Sequence, residues 1–171
     1  MGLREKGLLV FLIILIVFQN AGLYAQNTEQ TDKYTWMDSI LNKMTIDEKI
    51  GQLIMIPVYS DKTEKYYQDI DYLISRYHVG GLIFFQGTPT RQAELTNRFQ
   101  HQARIRLFIA MDAEWGLSMR LDSIKSLPRN MTLGAVQDNR LIYNVGAEIA
   151  RQCKIMGIHI NFAPVFDSSH P

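Results

Sequence analysis

From residue 36 onward, apolar positions in the chain switch between two arrangements, helical spacing and short continuous runs, and the switch recurs four times. Residues 36–44 predict a short helix, and Thr45-Ile46-Asp47-Glu48 predicts the capped, acidic first turn of a second. That helix feeds directly into the apolar run Leu53-Ile54-Met55-Ile56-Pro57-Val58. Residues 66–77 set Tyr66, Ile70, Leu73, Ile74 and Tyr77 at helical spacing. Gly80-Gly81 then punctuates the chain before Leu82-Ile83-Phe84-Phe85, a buried strand. A polar helix over 90–104 carries Ala93, Leu95 and Phe99, and Leu107-Phe108-Ile109-Ala110-Met111-Asp112 is the third strand. After a loop with Pro128, a helix runs from about Asp138 to Met156, is ended by Gly157, and leads to a fourth strand, Ile158–Val165.

Short continuous apolar strands separated by amphipathic helices imply an α/β fold with a parallel sheet covered by helices. Such a sheet is either open and doubly wound or closed as a (β/α)8 barrel. Side-chain parity favours the barrel. In the third strand Phe108, Ala110, Asp112 and Glu114 alternate with Leu107, Ile109 and Met111. In the fourth, His159, Asn161, Ala163, Val165 and Asp167 alternate with Ile158, Ile160, Phe162, Pro164 and Phe166. One face of each strand is thus small or polar and ends in carboxylates, as at the C-terminal mouth of a barrel. A nucleotide-binding open sheet would need a glycine-rich turn after its first strand. Tyr59-Ser60-Asp61-Lys62 stands there instead.

Residues 1–25 have a different character. Arg4, Glu5 and Lys6 precede an uninterrupted apolar run, Leu8–Phe18, and the small-residue stretch Ala21-Gly22-Leu23-Tyr24-Ala25. This order predicts a cleaved secretory signal peptide, and the run is too short for a permanent span of about 20 residues. The expected localisation is periplasmic or secreted, with the membrane involved only during export. A linker is expected over 26–37 and the barrel domain over 38–171.

The leader also distorts the charge. The 171 residues hold 18 Lys and Arg against 17 Asp and Glu. The leader contributes two basic residues and one acidic, which leaves 16 of each in the remainder. This balance argues against a nucleic-acid partner. The single cysteine, Cys153, excludes an intramolecular disulfide, and its neighbours Ile149, Ala150 and Met156 predict a buried, inert thiol.

The densest chemistry is Met111-Asp112-Ala113-Glu114-Trp115-Gly116-Leu117-Ser118-Met119-Arg120, where the third strand should end. Two carboxylates on one strand face, an aromatic ring and an arginine suit a sugar-binding lip, because an ionised Asp accepts strong hydrogen bonds from hydroxyls. Glu114 either acts on the ligand or pairs with Arg120 to hold the loop. Asp112, Glu114, Asp167, His159 and His170 lack the spacing of a metal site, so no metal is expected. No G-x-S-x-G elbow is present for a serine hydrolase. His78, His101 and His170 are expected on the surface or in loops, and His159 is expected as a hydrogen-bonded residue near the barrel wall.

Five motifs in order carry a resemblance: Lys49-Ile50-Gly51-Gln52-Leu53, Val79-Gly80-Gly81-Leu82-Ile83-Phe84-Phe85, Asp112-Ala113-Glu114, Leu127-Pro128, and Asn161-Phe162-Ala163-Pro164-Val165-Phe166-Asp167. From about residue 38 the chain resembles the N-terminal barrel domain of glycoside hydrolase family 3, and more narrowly its β-N-acetylhexosaminidase branch. It departs from the family's Asp-x-Glu-Gly-Gly pattern in one place, where Trp115 replaces the first of those glycines.

The resemblance implies a retaining exo-glycosidase acting on a β-linked sugar, with no cofactor. It implies that Asp112 and Arg120 bind the terminal sugar, with Glu114 and Asp167 in support. The nucleophile and the acid/base group of this branch are expected beyond Pro171. With about 250 residues typical of such barrels, four units make roughly half of one, and the downstream half is an expected partner. Strands one and four would then be open edges, so residues 26–171 expressed alone are expected in inclusion bodies. A β-glucosidase or β-xylosidase of the same family, and a non-catalytic sugar-binding or assembly fragment, are the alternative readings.

Overall fold

The computed structural model describes residues 34–164. The leader, the start of the expected linker, Asp167 and His170 lie outside them. Among the described residues no helix is long and apolar enough to cross a membrane.

The chain divides after Thr45 into two compact units. In the first, helix α1 covers 34–41, two residues earlier than the helix expected over 36–44 and including the last four residues of the expected linker.

The second unit begins with helix α2 (Ile46–Gly51), with Asp47 and Glu48 in its first turn. It continues through β1 (Met55–Tyr59), α3 (Glu64–Tyr77), β2 (Gly81–Phe85), α4 (Pro89–Gln102) and β3 (Phe108–Met111). A short helix α5 (Asn130–Gly134) follows in the stretch expected as loop, then α6 (Asn139–Ile155) and β4 (Ile160–Asn161). The four strands form one parallel sheet in the order β1-β2-β3-β4. Sequential parallel neighbours joined by helical crossovers are the βα units of a barrel wall. Of the strand expected over 158–165, whose last residue lies outside the described residues, Ile160–Asn161 alone pair as β4.

The sheet has one covered face and one open face. Val58, Leu82, Phe84, Ile109 and Met111 are fully buried and pack in one cluster with Tyr67, Ile70 and Ile74 of α3 and Leu95 and Phe99 of α4. The alternating positions carry Pro57 and Phe108, both exposed, Phe108 at 57%. The parity expected for the third strand therefore holds over Phe108–Met111. That expected for β4 does not, because Ile160 pairs with Ala110 and Asn161 with Met111. Paired positions of a parallel ladder share a face, so Asn161 falls on the Met111 side.

The apolar stripe of α3 holds at Ile70, Leu73 and Ile74 and differs from that expected at its two ends. Tyr67 is buried and accepts from the Lys62 amide, while Tyr66 is only half-buried and donates its hydroxyl to Pro57 O at 3.1 Å. Tyr77 is half-exposed, edge-on to Tyr72. The Cys153 thiol is buried in the core on α6 as expected, and burial raises its pKa.

Two glycine motifs meet where α2 passes the turn between α3 and β2. The Gly80 amide is shared between the carbonyls of Gly51 and Ile54, both at 3.0 Å, and Gln52 Nε2 donates to His78 O at 2.6 Å. A Cβ on Gly51 would lie 1.9 Å from Tyr77 O, and one on Gly80 1.9 Å from Gln52 O. Only hydrogen fits between these backbones.

Gly80→Ala or Gly51→Ala should therefore lower unfolding free energy by about 3 kcal/mol in chemical denaturation. Gly146→Ala should raise it by about 0.5–1 kcal/mol, since Gly146 is inside α6 with open space around its Cα. A smaller loss at Gly80 than at an exposed helix position would contradict the crossing.

Candidate functional site

β3 is held by side chains at both ends. At its start, Gln100 receives the Leu107 amide on Oε1 and donates Nε2 to the Leu107 carbonyl, at 3.1 and 2.9 Å. Next to the strand, the Ile109 amide donates to His159 Nδ1 at 3.0 Å, which gives His159 the hydrogen-bonded place expected for it. Past its end, fully buried Ala113 is bound in the same way as Leu107. Its amide donates to Asn161 Oδ1 at 3.0 Å and its carbonyl accepts from Asn161 Nδ2 at 3.3 Å. One carboxamide thus satisfies both main-chain groups of a residue that has left the ladder.

The acidic residues on either side of Ala113 diverge. Asp112 continues the open face, where Arg120 Nη2 donates to its Oδ2 at 2.8 Å. Glu114 lines a cavity of about 650 Å³ together with Val145 and Ile149 of α6 and Asn161 of β4, on the helix side. The expectation that both carboxylates share one face fails because the ladder stops at Met111 and the chain turns at an isolated bridge between Glu114 and Gly116. Glu114 is not paired with Arg120 either. Its Oε2 accepts from Asn130 Nδ2 at 3.4 Å, so α5 supplies its partner.

Arg120 returns to Asp112 by way of a 3-10 turn, Leu117–Met119, anchored by buried Leu117 and Leu121. Its guanidinium lies 4.7 Å from the Phe85 ring centroid. Phe85 ends β2 and stacks on Tyr59 at the end of β1, with centroids 5.4 Å apart and planes 25° apart. Tyr59, Phe85, Arg120 and Asp112 form one row across the C-terminal ends of three strands. The Asp122 amide donates to Gly87 O and the Ser60 amide to Phe85 O, which ties together the loops after β1, β2 and β3. Gly87, at φ 116°, has Ser60 Cβ 2.7 Å from where its own would be. A side chain there would open this edge.

Phe85 and Tyr59 were not among the residues singled out from sequence, since Leu82-Ile83-Phe84-Phe85 reads as uniformly buried. The available signal was the β2 parity, which sets Gly81, Ile83 and Phe85 against Leu82 and Phe84.

The backbone explains the chain's departure at Trp115. Among the described residues the non-glycine positions with positive φ are His78, Gln86 and Ser123, so Trp115 has ordinary geometry and tolerates a side chain. Gly116 does not: it sits at φ 84°, and an added Cβ would lie 3.1 Å from both Leu127 and Gln152. The Trp115 ring meets the Arg129 guanidinium at 4.9 Å. Among the described residues no three His, Cys, Asp or Glu side chains gather as they would around a metal ion.

Residues 45–171 match the family described as glycosyl hydrolase family 3 N terminal domain. A β-N-acetylglucosaminidase/β-glucosidase of Cellulomonas fimi is 29% identical over 136 residues, which is 80% of this chain and 23% of that protein. β-Hexosaminidase A of Pseudoalteromonas piscicida is 34% identical over 117 residues, 60% of this chain and 20% of that protein. The solved β-glucoside phosphorylase BglX bound to 2FGlc superposes with a TM-score of 0.70 at 24% identity, over 78% of this chain and 24% of that one. The chain thus spans a fifth to a quarter of the length of these relatives.

Asn161→Ala should leave the Ala113 amide without a partner in a buried place, while the Ala113 carbonyl keeps the Gly116 amide at 3.2 Å. The expected loss is about 2 kcal/mol in chemical denaturation. A change within 0.5 kcal/mol, the usual range for surface substitutions, would show that the clamp contributes nothing.

Proposed function

The chain belongs to glycosyl hydrolase family 3, and on that premise we propose that it is the N-terminal part of an exported retaining exo-glycosidase. Its substrate is a terminal β-linked N-acetylhexosamine, bound by Asp112. The observation that carries this reading is the place of Asp112. It stands on the open face just past the C-terminal end of β3, with Oδ2 held by Arg120 and Oδ1 free of hydrogen bonds among the described residues. Catalytic and binding groups of (β/α) barrels stand at this end of the strands. An ionised carboxylate there can accept two hydroxyl hydrogen bonds from a sugar.

The names of the two curated relatives support the sugar, as both include a hexosaminidase or N-acetylglucosaminidase. Residues 1–25 support export, through their basic start, apolar run and small-residue end.

Retaining hydrolysis needs a nucleophile and a group that serves first as acid and then as base, about 5–5.5 Å apart when both are carboxyls. Asp112 and Glu114 do not form that pair, because Asp112 is bound to Arg120 on the open face while Glu114 is bound to Asn130 and lines the cavity beside α6. Asp112 therefore binds and orients the sugar, and the two reacting groups come from the part of the barrel that follows. Arg120 keeps the Asp112 carboxylate turned toward the open face. Neither role calls on a cofactor.

The test is hydrolysis of nitrophenyl N-acetyl-β-glucosaminide and nitrophenyl β-glucoside by the protein encoded by the complete gene. The glucosaminide is the expected better substrate. Asp112→Asn should lower kcat/KM by roughly 10- to 100-fold, the cost of a charged hydrogen bond to substrate, with the fold intact. Residues 26–171 alone should have no activity. Preference for the glucoside would move the assignment to the β-glucosidase reading, and full activity of the Asp112 variant would remove Asp112 from the site.

A further inference from the structure

We propose that an ordered water molecule is bound inside the fold at the start of α4, shared between the carboxamide of Gln92 and the hydroxyl of Ser60. The site has no part in the sugar-binding reading and stands independently of it.

Among the described residues, the polar side chains that are buried outright are Ser60, 4% exposed, and Gln92, fully buried. Both lack hydrogen-bond partners among the protein groups: Ser60 Oγ, Gln92 Oε1 and Gln92 Nε2 are all unpaired. The other side-chain atoms in that condition, on Asp71, Thr96, Ser118 and Arg120, belong to residues that are only half-buried. A carboxamide offers two donors and an oxygen with two lone pairs, and leaving these unmet in a packed interior costs a sizeable fraction of a domain's stability. Native interiors meet such groups with other protein atoms or with internal water, which occurs about once per 27 residues.

The two residues border the same place. Ser60 extends the ladder of β1 by one residue, its amide donating to Phe85 O at 3.2 Å. Strand alternation puts it on the side of buried Val58, the face covered by helices. Gln92 lies on the core face of α4, in line with Leu95 and Phe99. Gly87 joins them. A Cβ added there would be 2.7 Å from Ser60 Cβ, and α4 starts two residues later at Pro89, capped by Thr88. Gln92 follows that cap by one turn, its amide donating to Thr88 O at 3.0 Å. Both unpaired side chains therefore belong to the layer between the sheet and the first turn of α4, next to the loops after β1 and β2.

Water matches what these groups require. It can accept from Gln92 Nε2 while donating to Ser60 Oγ, or accept from the Ser60 hydroxyl while donating to Gln92 Oε1. A cation would suit the two oxygens and oppose the Nε2 hydrogens, and an anion would do the converse. The pair thus selects a small neutral molecule that both donates and accepts. Held there, the water ties the end of β1 to the start of α4 beside the main-chain bonds that already join these loops.

The direct experiment is a high-resolution crystal structure of the protein encoded by the complete gene. The expected result is a water within about 2.7–3.2 Å of both the Gln92 carboxamide and Ser60 Oγ, as well ordered as the main chain around it. Gln92 bonded straight to Ser60 or to another protein group, an ion in the water's place, or a water on Gln92 that does not reach Ser60 would each overturn the proposal.

A second measurement is made in solution. Methionine is unbranched like glutamine but has no strong donor or acceptor. Gln92→Met should lower the thermal midpoint by about 2–4 °C, since the water and Ser60 lose their partner. Ser60→Ala should lower it as well, and the double variant should lose clearly less than the sum, because each single change removes the same water. A carboxamide without water would behave in the opposite way, and Gln92→Met would then raise the midpoint. Such a rise, or strictly additive losses, would sink the shared site. Neither measurement uses catalysis, so the result holds whichever glycoside the enzyme cleaves.

Discussion

Both main-chain groups of Ala113 are taken up by the carboxamide of Asn161, and the arrangement of the whole C-terminal edge follows from that contact. β3 has only four residues, so nothing in its ladder reaches Asp112. Without a clamp the next residues would be a loop free to choose which carboxylate points where. With it, Ala113 is fixed against β4, Asp112 is left over the open face, and Glu114 is turned toward α6. The contact links residues 48 apart in sequence, so β4 must be seated before the site exists. The chemistry of the Asp-Ala-Glu stretch thus depends on a strand that contributes a packing amide to it rather than a reacting group.

A second constraint acts at the opposite end of the strands. The crossing of α2 over the α3–β2 turn brings main chain to within hydrogen-bond distance of main chain, and it uses the glycines of both Ile50-Gly51-Gln52 and Val79-Gly80-Gly81. These motifs first carried the family resemblance and could be mistaken for ligand-binding turns. Their physical role is to let two backbones touch, which sets the start of β2 relative to β1. The functional edge is then one strand length away, where Tyr59 and Phe85 end in register. The glycine contacts set β2 against β1 at one end of the sheet, and the Ala113 clamp joins the end of β3 to β4 at the other.

Much of the fold was legible because its elements are periodic and well punctuated. The α6 helix was expected from about Asp138 to Met156 and runs Asn139–Ile155, with Asp138 as its cap and Gly157 in positive φ just beyond. β2 and α4 were legible to within one or two residues for the same reason. The misses have physical causes. Tyr66 and Tyr67 are adjacent tyrosines, so spacing alone could not say which one enters the core. The β4 parity fails because two paired residues settle it, and Asn161, polar by type, is a partner of the Ala113 backbone rather than an inward group. Asp112 and Arg120 were legible as a pair of chemical types. Their direct bond closes within the one segment after β3, and the Phe85 ring beside it comes from the end of β2, a contact that leaves no local signature.

The central claim is that Asp112 offers one oxygen to a sugar on the open face while Arg120 holds the other. A crystal structure of the complete protein with N-acetylglucosamine bound tests it most directly. The account predicts a sugar hydroxyl within hydrogen-bond distance of Asp112 Oδ1, Arg120 still on Oδ2 and over Phe85, and Glu114 turned away toward α6. A sugar seated in the cavity between α6 and β4, or one bound to Arg120 with Asp112 displaced from it, would contradict the account.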